Sequence, residues 1–203
     1  MVDLATQKQI QEHFDHMYQA GQKPWSQHPI EPLLDNFFQL LWDDYPKTNI
    51  LDIGCGDGSI SILAAKEGHE VWGIDSSITA IREAEAAAQA ANVIKTTHFQ
   101  LGDALDLPYD GDFFDAMIDD GLFHHILPEN RSIYFQNILR VLKPKSYIYL
   151  SVFSKHNPEG IGQRFTREEI RTLFSSFQIL QFEEDPFPPK APAHIFHFIL
   201  KRK

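Results

Sequence analysis

Three glycines at alternate positions, Gly54, Gly56 and Gly58, close the run Ile50-Leu51-Asp52-Ile53-Gly54-Cys55-Gly56-Asp57-Gly58. The four residues before them are apolar apart from Asp52, as expected of a buried parallel strand. Glycine lets the chain turn sharply without a Cβ in the way of a ligand. The segment after Gly58 reads as a helix, whose first N–H groups and positive dipole end suit an anionic group. A turn of this kind at the end of a first strand holds a nucleoside-bearing cofactor.

The spacing narrows the choice of cofactor. A dinucleotide fingerprint places its third glycine three positions after the second, where this chain has Ser59. A second strand, Val71 to Asp75, ends in a carboxylate at the distance that suits a pair of ribose hydroxyls. A third, Thr97 to Leu101, runs into Gly102-Asp103-Ala104, and a fourth, Phe114 to Ile118, into Asp119-Asp120-Gly121-Leu122-Phe123-His124-His125. Carboxylates therefore gather at the carboxyl ends of the strands and create negative potential there, which favours a cation. For Asp57, helix capping is an equal reading. Cys55 stands at a helix N-terminus, where a thiol can be activated; a small residue accommodated inside the turn is the simpler account.

The stretches ILDIGCGDG (50–58), VWGID (71–75), GDALDLPY (102–109), FDAMIDDGLFHHI (114–126) and LRVLKPKSYIYLS (139–151) together resemble the class I S-adenosylmethionine-dependent methyltransferases. The short chain and the stretch from His125 to Tyr134 resemble the small-molecule branch of thiopurine and tellurite type. The resemblance implies that Asp52 and the Gly54–Gly58 turn, Cys55 and Gly56 included, lie against the methionine part of the cofactor. It assigns the ribose to Asp75 with Ser76 beside it, and the adenine to Asp103 with Ala104. It places Asp119 and Asp120 at the methionine end and the acceptor entrance, one of the two facing the site. Asp120 joins His124 and His125 as catalytic candidates, since imidazole is tuned to move protons near neutral pH; hydrogen bonding to neighbouring backbone is the alternative for either histidine. Trp25 and Tyr18 are expected in an N-terminal lid, Trp25 toward the cofactor and Tyr18 toward the acceptor. Phe123, Phe153 and Arg164 are the remaining acceptor-side candidates, Arg164 as a partner for a carboxylate or thiolate. Where the family commonly has Pro-Gly-Gly before its fifth strand, this chain has Pro144-Lys145-Ser146.

These residues need a framework. Strands and helices alternate to about residue 151, the signature of a parallel sheet covered on both faces. Ile30, Leu33, Leu34, Phe37, Phe38 and Leu41 share one face of a helix over 30–44. A capping box begins a helix at Thr166, and two late strands flank a Pro-rich loop from Pro186 to Pro192. Periodicity gives a doubly wound sheet; the order 3-2-1-4-5-7-6 with an antiparallel last strand comes from the resemblance. The expected organisation is one domain over 1–203, with residues 1–28 as lid and 29–203 as Rossmann-like core.

With 203 residues the chain can bury roughly 70% of its unfolded surface. Its formal net charge of −10, with Lys201-Arg202-Lys203 as the compact basic cluster, argues against nucleic acid. The single cysteine cannot form an internal disulfide, and no apolar run has the length of a membrane span, so a cytoplasmic protein with no membrane partner is expected. No metal is expected: His13 and His16 share a helix face without further ligands, and His194 and His197 point to opposite sides of a strand. The resulting expectation is methyl transfer from S-adenosylmethionine to a small molecule, a thiol or another soft nucleophile among them, by a monomer or homodimer. The competing readings are a protein methyltransferase, a nicotinamide-dependent oxidoreductase and a non-catalytic cofactor-binding partner subunit.

Overall fold

The computed structural model describes residues 6–27, 32–44, 47–187 and 193–203. Seven strands form one sheet in the order β3-β2-β1-β4-β5-β7-β6. They are β1 (Asn49–Ile53), β2 (Glu70–Asp75), β3 (Thr97–Leu101), β4 (Phe114–Asp120), β5 (Leu142–Phe153), β6 (Phe177–Phe187) and β7 (Ala193–Arg202). The first five pair in parallel, and β7 runs antiparallel between β5 and β6. The crossovers are α3 (Ser59–Lys66), α4 (Ile78–Ala90) and α5 (Arg131–Val141), with α1 (Gln7–Gln19), α2 (Pro32–Asp44) and α6 (Arg167–Leu173) completing the layers.

Each sheet face buries its own apolar cluster. Leu33, Phe37 and Leu41 of α2 and Ala64 and Ala65 of α3 pack on Ile50, Val71, Ala116 and Tyr149. On the other face Tyr134, Ile138, Ile170 and Phe174 from α5 and α6 pack on Leu51, Met117, Ile148 and Phe198. The strand order turns at β1 and β4, whose neighbours lie on opposite sides, so the ligand crevice lies beyond their carboxyl ends.

Three boundaries differ from the sequence expectation. β5 begins at Leu142, so Pro144-Lys145-Ser146 lies inside it and not before it. β4 continues through Asp119 and Asp120, which pair with Leu150 and Ser151. Successive strand residues face opposite sides, and the two aspartates are separated in this way. β6 extends through Pro186 into the expected Pro-rich loop, pairing Pro186 with His194. β6 is an edge strand, where a missing backbone N–H is tolerated. The rest of that loop, 188–192, and the first residue of the expected helix at Ile30 lie outside the described residues.

Candidate active site

The glycine turn has the geometry its composition calls for. Gly54, Gly56 and Gly58 have φ of 75°, 55° and 77°, the left-handed region in which a side chain is strained. Gly54 and Cys55 donate their N–H groups to the carbonyl of Ile74, which ties the turn to β2. Gly58 caps α3 with no side-chain bond, so Asp57 is not the helix cap. Asp57 instead faces Lys23, 3.5 Å away. The Cys55 thiol points inward against Gly73, and burial pushes its pKa well up. Cys55 therefore offers only its backbone to a ligand and is not a reactive thiol.

Asp75 closes the turn from β2. Its two carboxylate oxygens accept the N–H groups of Gly56 at 2.9 Å and Ser77 at 2.8 Å. Each oxygen keeps a lone pair, which fits a ribose diol. Asp52 is buried and accepts the Ser61 hydroxyl at 2.5 Å. Its burial raises its pKa to about 7, against the Ser61 bond and aided by Asp120, Asp75 and Asp119. At the end of β3, Asp103 takes the N–H of Leu105 on one oxygen. Ser76 is exposed and lines, with Leu101, Ile78 and Asp15, a groove of about 250 Å³ between α1 and the strand ends. Ala104 packs partly buried at the edge of the core.

The N-terminal segment crosses this crevice. Asp15 of α1 accepts the Ser77 hydroxyl at 2.6 Å, and Lys23 pairs with Glu83 of α4 at 2.6 Å. At the other end, the Gln7 amide donates to the His125 carbonyl and accepts from Leu127 N–H at 3.0 Å. α1 is therefore fastened on both the β2 and β4 sides. Between the ties, the Tyr18 hydroxyl stands where a Cβ on Gly56 would be. Trp25 donates its indole N–H to that hydroxyl at 3.1 Å. Tyr18 was expected on the acceptor side, but it belongs to the cofactor turn, because the i to i+4 offset from Phe14 carries it back over Gly56. Burial near Asp75 raises its pKa, so it remains a phenol.

On the β4 side the alternation of strand residues separates the aspartates. Asp119 is wholly buried and accepts three donors: Leu122 N–H at 2.9 Å, Phe123 N–H at 3.0 Å and the Tyr134 hydroxyl at 2.6 Å. Burial raises its pKa to about 7. With its oxygens engaged by these donors, it shapes the loop after β4. Asp120 is exposed at the strand end, where it accepts the Ser151 hydroxyl. It is the aspartate that faces the crevice.

Phe123, expected to touch the acceptor, is fully buried among Tyr134, Phe135, Phe165 and Phe174. It anchors the loop in the core. His124 stacks on Phe153 with centroids 3.9 Å apart, and His125 meets Phe14 at 4.6 Å. Both leave a buried Nδ1 without a partner. Burial lowers the pKa of His124 well below its ordinary value and that of His125 to about 3. Burial thus favours the neutral form of both rings and weakens them as proton acceptors. Gly162 rests on both rings, and a Cβ there would come within 3.0 Å of them.

Arg164 also departs from expectation. Its guanidinium donates to the carbonyls of Pro158, Gly160 and Gly162 and lies 5.5 Å over the Phe153 ring. It folds the 153–165 segment, where four loop carbonyls in reach capture a planar donor fork. Sequence reasoning missed Gln7 and Phe14. Phe14 was legible, since it and Tyr18 stand at i and i+4 on α1; Gln7 carried no signal beyond following the capping Thr6.

The chain matches the methyltransferase domain family over residues 44–184. It belongs to the S-adenosylmethionine-dependent methyltransferases. The match begins before β1 and runs through most of β6, so it contains the glycine turn, Asp75, Asp103 and the post-β4 loop. Over 162 residues the chain is 30% identical to the 2-heptyl-1-hydroxyquinolin-4(1H)-one methyltransferase of Mycobacteroides abscessus, covering 78% of this chain and 69% of that one. It spans between 45% and 57% of the length of three further curated relatives. A SAM-dependent methyltransferase of Methanosarcina mazei is similar at 26% identity and a TM-score of 0.73, over 86% of this chain and 99% of that one. The 1,6-didemethyltoxoflavin-N1-methyltransferase of Burkholderia thailandensis, solved with its substrate and S-adenosylhomocysteine, has the same fold at 21% identity. Its TM-score is 0.79, over 100% of this chain and 93% of that one. The cofactor of this methyltransferase is S-adenosylmethionine, and the left-handed glycines with Asp75 fit it. Among the described residues no helix is long and apolar enough to cross a membrane.

Proposed function

We propose that this methyltransferase acts on a flat heteroaromatic small molecule, methylating a ring-borne oxygen, nitrogen or thiol. The carrying observation is the ring cluster where α1 meets the post-β4 loop. Phe14 lies edge-on to Trp25 and to His125, and Phe153 stacks on His124. Aromatic walls and uncharged imidazoles suit a planar, neutral guest. The named substrates of the Mycobacteroides and Burkholderia relatives, a hydroxyquinolone and a didemethyltoxoflavin, support the same class. A heteroaromatic thiol is the member of the class nearest to the thiopurine-type resemblance.

S-adenosylmethionine, when bound, supplies an electrophilic methyl group on a sulfonium. The Gly54–Gly58 turn and Asp75 would hold it, with Asp103 at the adenine end. The protein's own task is then alignment and exclusion of water. α1, Tyr18 and Trp25 cover the turn. Asp120, at the open end of β4, takes the proton of an acceptor that arrives protonated.

The test is a panel of hydroxyquinolones, N-heteroaromatics and heteroaromatic thiols, scored by S-adenosylhomocysteine release. Turnover on at least one planar class is expected, with Asp120→Asn lowering turnover more than cofactor affinity. Turnover confined to aliphatic acceptors would refute the assignment.

A further inference from the structure

We propose that His156, Glu184 and His194 form a binding site for a divalent transition ion of the zinc type, separate from the methyl-transfer crevice. The three residues come from different segments: the turn after β5, the outer part of β6 and the start of β7. One ligand atom from each lies within 4.8 Å of the other two. Zinc held by imidazole and carboxylate spaces its ligands about 3.4 Å apart, so small side-chain rotations bring all three onto one ion.

The strand register explains the convergence. Glu184 pairs with Phe196, and His194 lies two residues before Phe196 on the same strand. The carboxylate and the imidazole are therefore diagonal neighbours on one sheet face. The turn after β5 then brings His156 over them, with Nδ1 2.7 Å from the carboxylate and its ring 5.6 Å from that of His194. His194 and His197 face apart, as expected for strand residues three apart, and the neighbours of His194 here are distant in sequence.

The groups behind the ligands are themselves fixed. Buried Ser154 donates to the same Glu184 oxygen at 2.8 Å and accepts the His156 N–H at 3.1 Å. Asn157 accepts the His194 N–H at 2.9 Å and donates to the His194 carbonyl. Supports of this kind orient first ligands. An ordinary His156–Glu184 ion pair accounts for two of the groups and leaves the third unexplained. Two imidazoles and one carboxylate select zinc, nickel or copper over magnesium or calcium. The half-exposed position leaves room for water to complete the shell. A bound ion would pin the start of the 153–165 segment to the β6–β7 pair.

The test uses tag-free, chelator-stripped full-length protein. Calorimetry with zinc chloride and visible absorption with cobalt chloride should each report one ion per chain, and excess zinc should raise the melting temperature. His156→Ala and His194→Ala should each weaken zinc binding by about tenfold or more, whereas a His13→Ala/His16→Ala double variant should bind like the parent. Melting temperatures without metal check that each variant folds. Glu184→Gln, which keeps the bond from Ser154, provides a third variant expected to lose affinity. Absence of zinc binding by the parent, or binding that survives both histidine substitutions, would overturn the proposal.

Discussion

The Tyr18 hydroxyl occupies the space that a Cβ on Gly56 would take, and Trp25 holds it there by an indole hydrogen bond. Lid and cofactor turn are therefore built against one another. Tyr18→Phe removes the hydroxyl and leaves the indole N–H without its acceptor. S-adenosylhomocysteine affinity should fall by about 1 kcal/mol, the value of one hydrogen bond. Calorimetry checks this, and Gly56→Ala, strained as well as obstructed, should lose more.

Asp119 and Asp120 should give opposite phenotypes. Asp119→Asn keeps one acceptor oxygen where three donors now converge, and it should destabilise the fold by about 3 kcal/mol. Asp120→Asn should leave the urea midpoint close to that of the parent and lower turnover. Equal stability losses in the two variants would contradict the separation.

Cofactor affinity should depend on pH through Asp52. Burial raises it from 3.8 to about 7. A sulfonium nearby favours the ionised carboxylate, so binding releases protons. Affinity should rise with pH up to about 7 and then level off. The folding stability of the free protein runs the other way. A raised carboxyl contributes most below its unfolded pKa, and that contribution is lost as pH rises toward about 7. Asp52→Asn should flatten both profiles, measured by calorimetry and thermal melts from pH 5 to 8. Because His125 sits at about 3, turnover should show no histidine inflection between pH 6 and 7.

Lys145 has φ of 67° inside β5, at a position where the family commonly has glycine. Lys145→Gly should stabilise the protein by about 1 kcal/mol, the cost of left-handed backbone for a side-chain-bearing residue. Chemical denaturation reads this directly, and cofactor affinity should be unchanged.

The glycine turn and the acids around it were legible because they depend on local chemistry: left-handed glycines after a strand, and carboxylates at the ends of β2 and β3. The acceptor half depends on tertiary placement that residue types do not encode. Arg164 reads as a free cation until the loop carbonyls around it are seen. Phe123 reads as a pocket residue until β4 proves long enough to turn it into the core. Asp119 and Asp120 could be separated only once both were known to be strand residues. The sheet order was implied by family resemblance; alternation alone gave the layers.

The most direct test of heteroaromatic methyl transfer is a labelling competition. The protein, S-adenosylmethionine carrying a tritiated methyl group, a mixed pool of planar heteroaromatics and a total protein extract are incubated together, then separated into small-molecule and macromolecular fractions. The account predicts label in the small-molecule fraction, on ring-borne heteroatoms, and its loss in Asp75→Ala. Label recovered chiefly in the protein fraction would contradict it.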